Sequence, residues 1–297
     1  MRVKLLLLVA LTLCLGTVSG AQQQLSLLAT VVDPLTNLPV ESLDASDVRV
    51  SEDGVTGKVV RVEPVNRVVK VQLLVDNGIG IGNENISELR KGVRGLIEAL
   101  PPGVETTVFT TAPQARTLVR TTTSREELLR GVDRLAPDTG AGRFVESLGE
   151  AAQRATKEKE DVFTVIIMAG TSSGDANVLD RDVQRLMERV QSRPMIVHVL
   201  LFSGAAGRSA TGGALQTEVG LAVTQSTRGR YENINTMSRY ITLMPELGAE
   251  VAKQLAGQSK QFRIVAQRPD GKSGNLGRVS LGVAGKLATS VTLEAQK

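Results

Sequence analysis

From Leu25 to about Asn66, apolar and polar residues alternate in short stretches broken by turn residues. Leu25 to Asp33, Val48 to Glu52 and Lys58 to Val62 predict strands, with turns at Asp33-Pro34, at Asn37-Leu38-Pro39 and, of hairpin type, at Asp53-Gly54. The pattern changes at Arg67. Val68 to Val75, Phe163 to Met168 and Met195 to Phe202 are near-continuous apolar runs rich in β-branched residues, as strands buried on both faces of a parallel sheet require. Helical spacing lies between them. Ile86, Leu89, Val93, Leu96, Ile97 and Leu100 form one stripe, and Leu179, Val183, Leu186, Met187 and Val190 a second. Leu215, Val219, Ala222 and Val223 form a third. Leu247, Val251 and Leu255 form a fourth, with Pro245 expected in its first turn.

This alternation predicts an α/β domain over 67–258, with a doubly wound, mostly parallel sheet carrying helices on both faces. Strand patterns return at Gln261 to Gln267, Arg278 to Val283 and Leu287 to Leu293, with a Pro269-Asp270-Gly271 turn. The segments 25–66 and 259–297 are each too short to bury a two-layer core alone. They are therefore expected to pair into one small all-β domain into which the α/β domain is inserted.

The termini and composition narrow the function classes. Met1-Arg2-Val3-Lys4, the apolar run Leu5 to Leu15 and the small residues up to Ala21 have the three-part form of a secretory signal peptide. Residues 1–20 are expected to be removed near Gly20 or Ala21, giving a periplasmic or extracellular chain that does not span the membrane. The run is too short to cross a bilayer. Cys14 follows Leu13 rather than a small residue, which argues against lipid attachment, and it is the chain's single cysteine. The mature protein then forms no disulfide. A net charge of +4 is small for a nucleic-acid binder, and 2% aromatics with no Trp leave no stacking platform. One His and one Cys leave almost nothing from which to build a His/Cys zinc site or a Cys–His nucleophile pair.

In an open α/β sheet ligands bind beyond the carboxyl ends of the strands. The loop there reads Val75-Asp76-Asn77-Gly78-Ile79-Gly80-Ile81-Gly82. As a dinucleotide turn its third glycine comes too early, and no ribose-binding acid is evident. Asp76-Asn77-Gly78-Ile79-Gly80 also resembles the ATP-contacting box of histidine-kinase and Hsp90-type ATPases. The Asn-bearing helix and the second glycine box of that family have no counterpart here.

A third resemblance covers about Leu25 to Leu293. Hydrophobic strand, terminal Asp76, amphipathic helix and strand–helix alternation look like a von Willebrand factor A domain. Asp47-Val48-Arg49-Val50-Ser51-Glu52-Asp53-Gly54 resembles the "D-F-x-V-x-E-D-G" segment preceding that domain in bacterial exported von Willebrand factor A-related proteins. Ser226-Thr227-Arg228-Gly229-Arg230 resembles their "T-G-G-R" turn into the last core strand. The resemblance implies a Mg²⁺ site built from Asp-x-Ser-x-Ser, a Thr and a second Asp. This sequence keeps Asp76 but has Gly78 and Gly80 for the serines, Gly142 for the Thr and Ala169 for the Asp. Asp76 alone remains as a metal-ligand candidate, short of the octahedral oxygen set Mg²⁺ needs. Asp138, Asp175 and Glu84 are off the family's spacing. The site is expected to be degenerate, with no metal and no cofactor.

Other residues have structural readings. His198 in its apolar strand is expected to be a core histidine with one hydrogen bond, lacking an orienting partner for acid–base work. Lys157-Glu158-Lys159-Glu160-Asp161 reads as a solvated helix end. No Ser pairs with a His base, so no hydrolase triad is supported. The expectation is a non-catalytic exported interaction or adhesion module that engages a protein or cell-envelope partner. Its loop face would comprise Asp76, Asn77, Gly78, Gly80, Gly142, Thr171, Ser172, Ser173 and Asp175. The alternative is a nucleotide-binding ATPase-like protein using Asp76 and its glycine loop.

Overall fold

The computed structural model describes residues 24–36, 38–175, 177–204, 213–272, 274–284 and 288–293. The leader, Cys14, Asn37 and most of the glycine-rich segment Ser203 to Gly213 lie outside the described residues.

Alternate residues of β1 (Gln24–Asp33), Leu25, Leu27, Ala29 and Val31, share one core, and Leu28 and Thr30 between them are buried too. β2 (Leu38–Pro39) returns against it, and a 3₁₀ turn leads into β3 (Val48–Glu52). Asp53 and Gly54, both at positive φ (49° and 83°), make the tight hairpin to β4 (Val55–Thr56). The sequence suggested Lys58 to Val62 as the next strand. It is longer, β5 (Lys58–Asn66), and belongs to a different sheet from β3. The break falls at Gly57, where a β-carbon would overlap the Gln267 carbonyl, so only glycine lets the chain cross between sheets there.

The α/β domain follows: β6 (Val68–Val75), α1 (Ile86–Ala99), β7 (Glu105–Thr110), β8 (Arg116–Thr122), α2 (Arg125–Asp133) and α3 (Phe144–Thr156). Then come β9 (Val162–Thr171), α4 (Asp180–Ser192), β10 (Met195–Phe202), α5 (Ala214–Thr227), β11 (Tyr231–Ile234) and α6 (Ser238–Ser259). The sheet order is β11-β10-β9-β6-β7-β8, parallel except for β8 against β7. Both faces are covered. Leu73 and Val75 pack towards α1 and α6, while Leu74 packs towards α3 and α5. β9 is buried along its whole length, which is why its sequence shows no alternation.

Two sequence expectations change. α6 begins seven residues before Pro245, so the proline lies inside the helix rather than in its first turn. Its ring fits because Gly95 of α1 faces it, and a β-carbon there would crowd the Pro245 Cγ. Tertiary packing of Tyr240, Leu243, Met244 and Leu247 offsets the lost helical bond. His198 makes two hydrogen bonds, not one. Its Nδ1 accepts from the Arg230 N–H (3.1 Å) and its Nε2 meets Gln254 Oε1 (2.9 Å), which fixes the neutral tautomer. Burial also pushes its pKa below the usual histidine range. The charged run, starting at the C-cap of α3, is mostly exposed as expected, and Arg193 holds its turn by donating to the carbonyls of Glu158, Lys159 and Val162.

The chain ends in β12 (Lys260–Gln267), β13 (Val279–Val283) and β14 (Ala288–Leu293). The two flanks pair directly. β12 lies between β1 and β5, β14 extends the same sheet beyond β1, and β13 pairs with β3. Val48 and Val50 share a core with Phe262, Ile264 and Ala266. A buried ion pair pins the arrangement: Arg268 grips Glu52 with two nitrogens, Nε donating to Oε2 at 2.9 Å and Nη2 to Oε1 at 2.6 Å.

Candidate functional site

The carboxyl ends of β6, β7 and β9 bring together loops 76–82, 136–143 and 172–175. Asp76 lies just past β6, 2% exposed, its N–H bonded to the Ala169 carbonyl (2.8 Å). Its Oδ1 accepts from the Gly78 N–H (2.8 Å) and its Oδ2 from the Thr171 hydroxyl (2.6 Å). Thr171 Oγ1 lies 2.7 Å from Ser173 Oγ, and because its own proton goes to Asp76 it accepts from the serine. The result is a donor chain from Ser173 through Thr171 to Asp76. Burial pushes the Asp76 carboxyl above its ordinary pKa, against the opposing effect of these hydrogen bonds.

The loops are stitched to one another as well. Asn77 Nδ2 donates to the Ala136 carbonyl (2.8 Å), and the Asn77 carbonyl accepts from Asp138 N–H (2.7 Å). Ile79 N–H donates to the Gly140 carbonyl (3.0 Å). Close approach is possible because the contact positions carry no side chain. A β-carbon at Gly78 would overlap the Gly140 carbonyl, one at Gly80 the Thr171 and Ser173 hydroxyls, and one at Gly142 the Asp76 carboxylate.

Asp175 does a different job. Held at φ 57° and 4% exposed, it accepts from the backbone N–H groups of Phe144 (3.1 Å) and Val145 (3.4 Å) at the start of α3. Gln216 Nε2 from α5 reaches both Asp175 Oδ2 (3.2 Å) and the Gly174 carbonyl (3.1 Å). Asp175 thus supplies the cap that Arg143 does not give α3. Burial nevertheless pushes its pKa up to about 6, outweighing the bonds from Gln216, Val145 and Phe144 and the nearby Arg143 charge.

A testable consequence follows from that balance. The folded form holds a proton that the unfolded chain has released, so stability falls as pH rises from 3.8 to about 6 and is flat beyond. At 1.36 kcal/mol per tenfold change in proton affinity, the loss is about 3 kcal/mol. Urea titrations at pH 4 and pH 7 should show this loss in the wild type and its absence from Asp175→Asn. Equal pH profiles for the two proteins would refute it.

The nine residues suggested by sequence do converge on this apex, but as its floor. Asp76, Asn77, Gly78, Gly80, Gly142, Thr171, Ser172 and Asp175 are buried, and only Ser173 is half-exposed. The solvent-facing rim is made by residues the sequence reading passed over: Ile79, 54% exposed between its two glycines, Arg143 and Asn177. An apolar side chain flanked by glycines in a polar loop was the available signal for Ile79. Asp138 and Glu84 do not join Asp76. Asp138 Oδ1 accepts from Gly140 N–H (2.8 Å), and Glu84 lies beside Asn85. Among the described residues no group of three or more His, Cys, Asp or Glu side chains is placed to hold a metal ion. No helix of the described residues is long and apolar enough to cross a membrane.

The fold is that of a von Willebrand factor A-like α/β domain, a mostly parallel six-stranded sheet with helices on both faces. No family model matches the sequence, and no curated protein matches it. Among solved structures, the chain is similar to a von Willebrand factor type A protein from Catenulispora acidiphila. The TM-score is 0.51 at 13% identity, covering 92% of this chain and 74% of that one. It is also similar to the conserved hypothetical protein BatB from Bacteroides thetaiotaomicron (TM-score 0.45, 15% identity, 62% and 99% covered). A third is the von Willebrand factor domain of the type V pili tip protein Mfa5 from Porphyromonas gingivalis (TM-score 0.43, 9% identity, 64% and 96% covered). At these identities the likeness is one of fold.

Proposed function

We propose that this protein is an exported, non-catalytic interaction module whose apex engages a protein or cell-envelope partner without a bound cation. One observation supports the reading: at Gly78, Gly80 and Gly142, where the resemblance implies serine and threonine ligands, a β-carbon would overlap Gly140, the Thr171 and Ser173 hydroxyls and the Asp76 carboxylate. Gly78, Gly80 and Gly142 let the loops approach Asp76, whose carboxyl accepts from the Gly78 N–H and from the Thr171 hydroxyl, itself bonded to Ser173. Mg²⁺ binds hard oxygen ligands in near-octahedral geometry, and one buried carboxyl with two hydroxyls does not fit that requirement. The absence of a Ser–His or Cys–His pair in the sequence supports a role other than hydrolysis, and the signal-like leader supports export.

Calorimetric titration of the full chain with millimolar Mg²⁺, Mn²⁺ and Ca²⁺ tests the reading. No saturable heat and an unchanged melting temperature are expected, and partner capture should persist in EDTA. A stoichiometric site abolished by Asp76→Asn would overturn it. ATP with Mg²⁺ is likewise expected to leave melting unchanged.

A further inference from the structure

Beside the apex, between α3 and α4, lies a cleft of about 430 Å³ floored by Asp175 and walled by side chains of both helices. Three arginines line it, and two of them are anchored in a particular way. Arg143 Nε donates to the Pro113 carbonyl (3.1 Å), and Arg189 Nη1 donates to the Gly149 carbonyl of α3 (2.9 Å). Each guanidinium therefore has one N–H on a backbone carbonyl and its remaining N–H groups directed elsewhere. The third, Arg185, is paired with Asp182 (3.5 Å).

The cleft's acids are mostly committed elsewhere. Glu150 pairs with Arg154 (3.4 Å), and Asp182 also accepts from the Leu179 N–H (3.1 Å). Asp175 accepts three N–H donors, as described above. Asp175 also feels the nearby Arg143 charge, and Glu146 is exposed at the cleft beside the half-buried guanidinium groups of Arg143 and Arg189. Guanidinium forks match carboxylates in shape and bind them by charge-assisted hydrogen bonds. Fixing the fork beforehand on a backbone carbonyl lowers the ordering cost of binding.

We propose that this cleft is a carboxylate-recognition site, in which Arg143 and Arg189 grip an Asp or Glu side chain of a protein partner. The proposal rests on the interaction-module reading and gives that module's partner its chemistry: an acidic, extended segment laid along the α3–α4 edge of the apex. In this arrangement arginine, rather than a cation, receives the partner's acid.

The probe is the blocked peptide acetyl-Ala-Glu-Ala-Glu-amide, titrated into the full chain while the arginine Nε–H resonances are followed by NMR. Saturable shifts confined to Arg143 and Arg189 are expected. Arg143→Gln and Arg189→Gln should each weaken binding at least about tenfold, while Arg120→Gln, an exposed charge outside the cleft, should leave it unchanged. Circular dichroism verifies that the variants fold. Glu146→Gln offers an independent reading because it should tighten binding about threefold by removing the opposing charge. Equal weakening by Arg120→Gln would overturn the proposal, as would no tightening in Glu146→Gln. So would equal binding of acetyl-Ala-Gln-Ala-Gln with a free C-terminus, or of inorganic phosphate at the same concentrations. If the peptide fails while a partner is still captured in EDTA, the cleft is wrong and the module reading stands.

Discussion

Gly142→Thr, which writes back the residue type expected at this position of a metal-binding A domain, should destabilise the protein by roughly 2–3 kcal/mol. The reason is steric. The β-carbon alone would overlap the Asp76 carboxylate, and the branch beyond it has no cavity to enter because Gly142 is buried. Relief would require Asp76 to leave its bonds with Gly78 and Thr171, stranding a buried carboxyl. For a chain of this size the expected fall in melting temperature is about 4–12 °C. Gly257→Ala is the control. It lies in α6 with ordinary van der Waals room beside Thr30, and alanine favours helix, so melting should hold or rise slightly. An unchanged melting temperature for Gly142→Thr would count against a closed apex. Recovery of the lost stability on adding Mg²⁺ would show that the variant had rebuilt a cation site.

The same glycines mark the boundary of what could be read from the sequence. The buried strands β6, β9 and β10 and the helices α1, α4 and α5 were legible because burial imposes a period on the residues themselves. β7 and β8 were passed over because Thr-rich segments such as Glu105–Thr110 carry little apolar signal, although Val108 and Phe109 are buried on opposite faces. The start of α6 was misplaced because proline is read locally, while Gly95 on another helix decides whether its ring fits. The candidate site followed the same logic. The glycines at 78, 80 and 142 were visible residue by residue. That they let the loops approach until Asp76 is buried, with Ile79 and Arg143 left at the rim, depends on contacts between loops far apart in sequence.

Deleting residues 260–297 should unfold residues 24–66 while leaving the α/β domain to melt cooperatively on its own. β12 is an interior strand of its sheet, with β1 hydrogen-bonded along one side and β5 along the other. Without it, β1 retains only the two-residue β2 as a partner, and β5 retains none in its sheet. The core loses Phe262, Ile264 and Ala266, facing Leu27, Val48 and Val50. Phe262 and Ile264 alone represent roughly 3–6 kcal/mol of apolar burial. Glu52 would also lose Arg268 and the Gly277 N–H, which together hold its carboxyl below the usual pKa range. A strand set this short, with no disulfide to hold it, falls below the size that folds unaided. The α/β domain is in a different position. Its sheet is closed on both faces by α1 to α6, and its cores on the two sides draw on residues between Val71 and Leu255. Limited proteolysis should therefore cut first within 24–66 and leave a resistant fragment from about Val68 to Ser259. Resistance of 24–66 in the truncated protein would mean that the N-terminal strands draw their stability from the α/β domain instead of from the C-terminal strands.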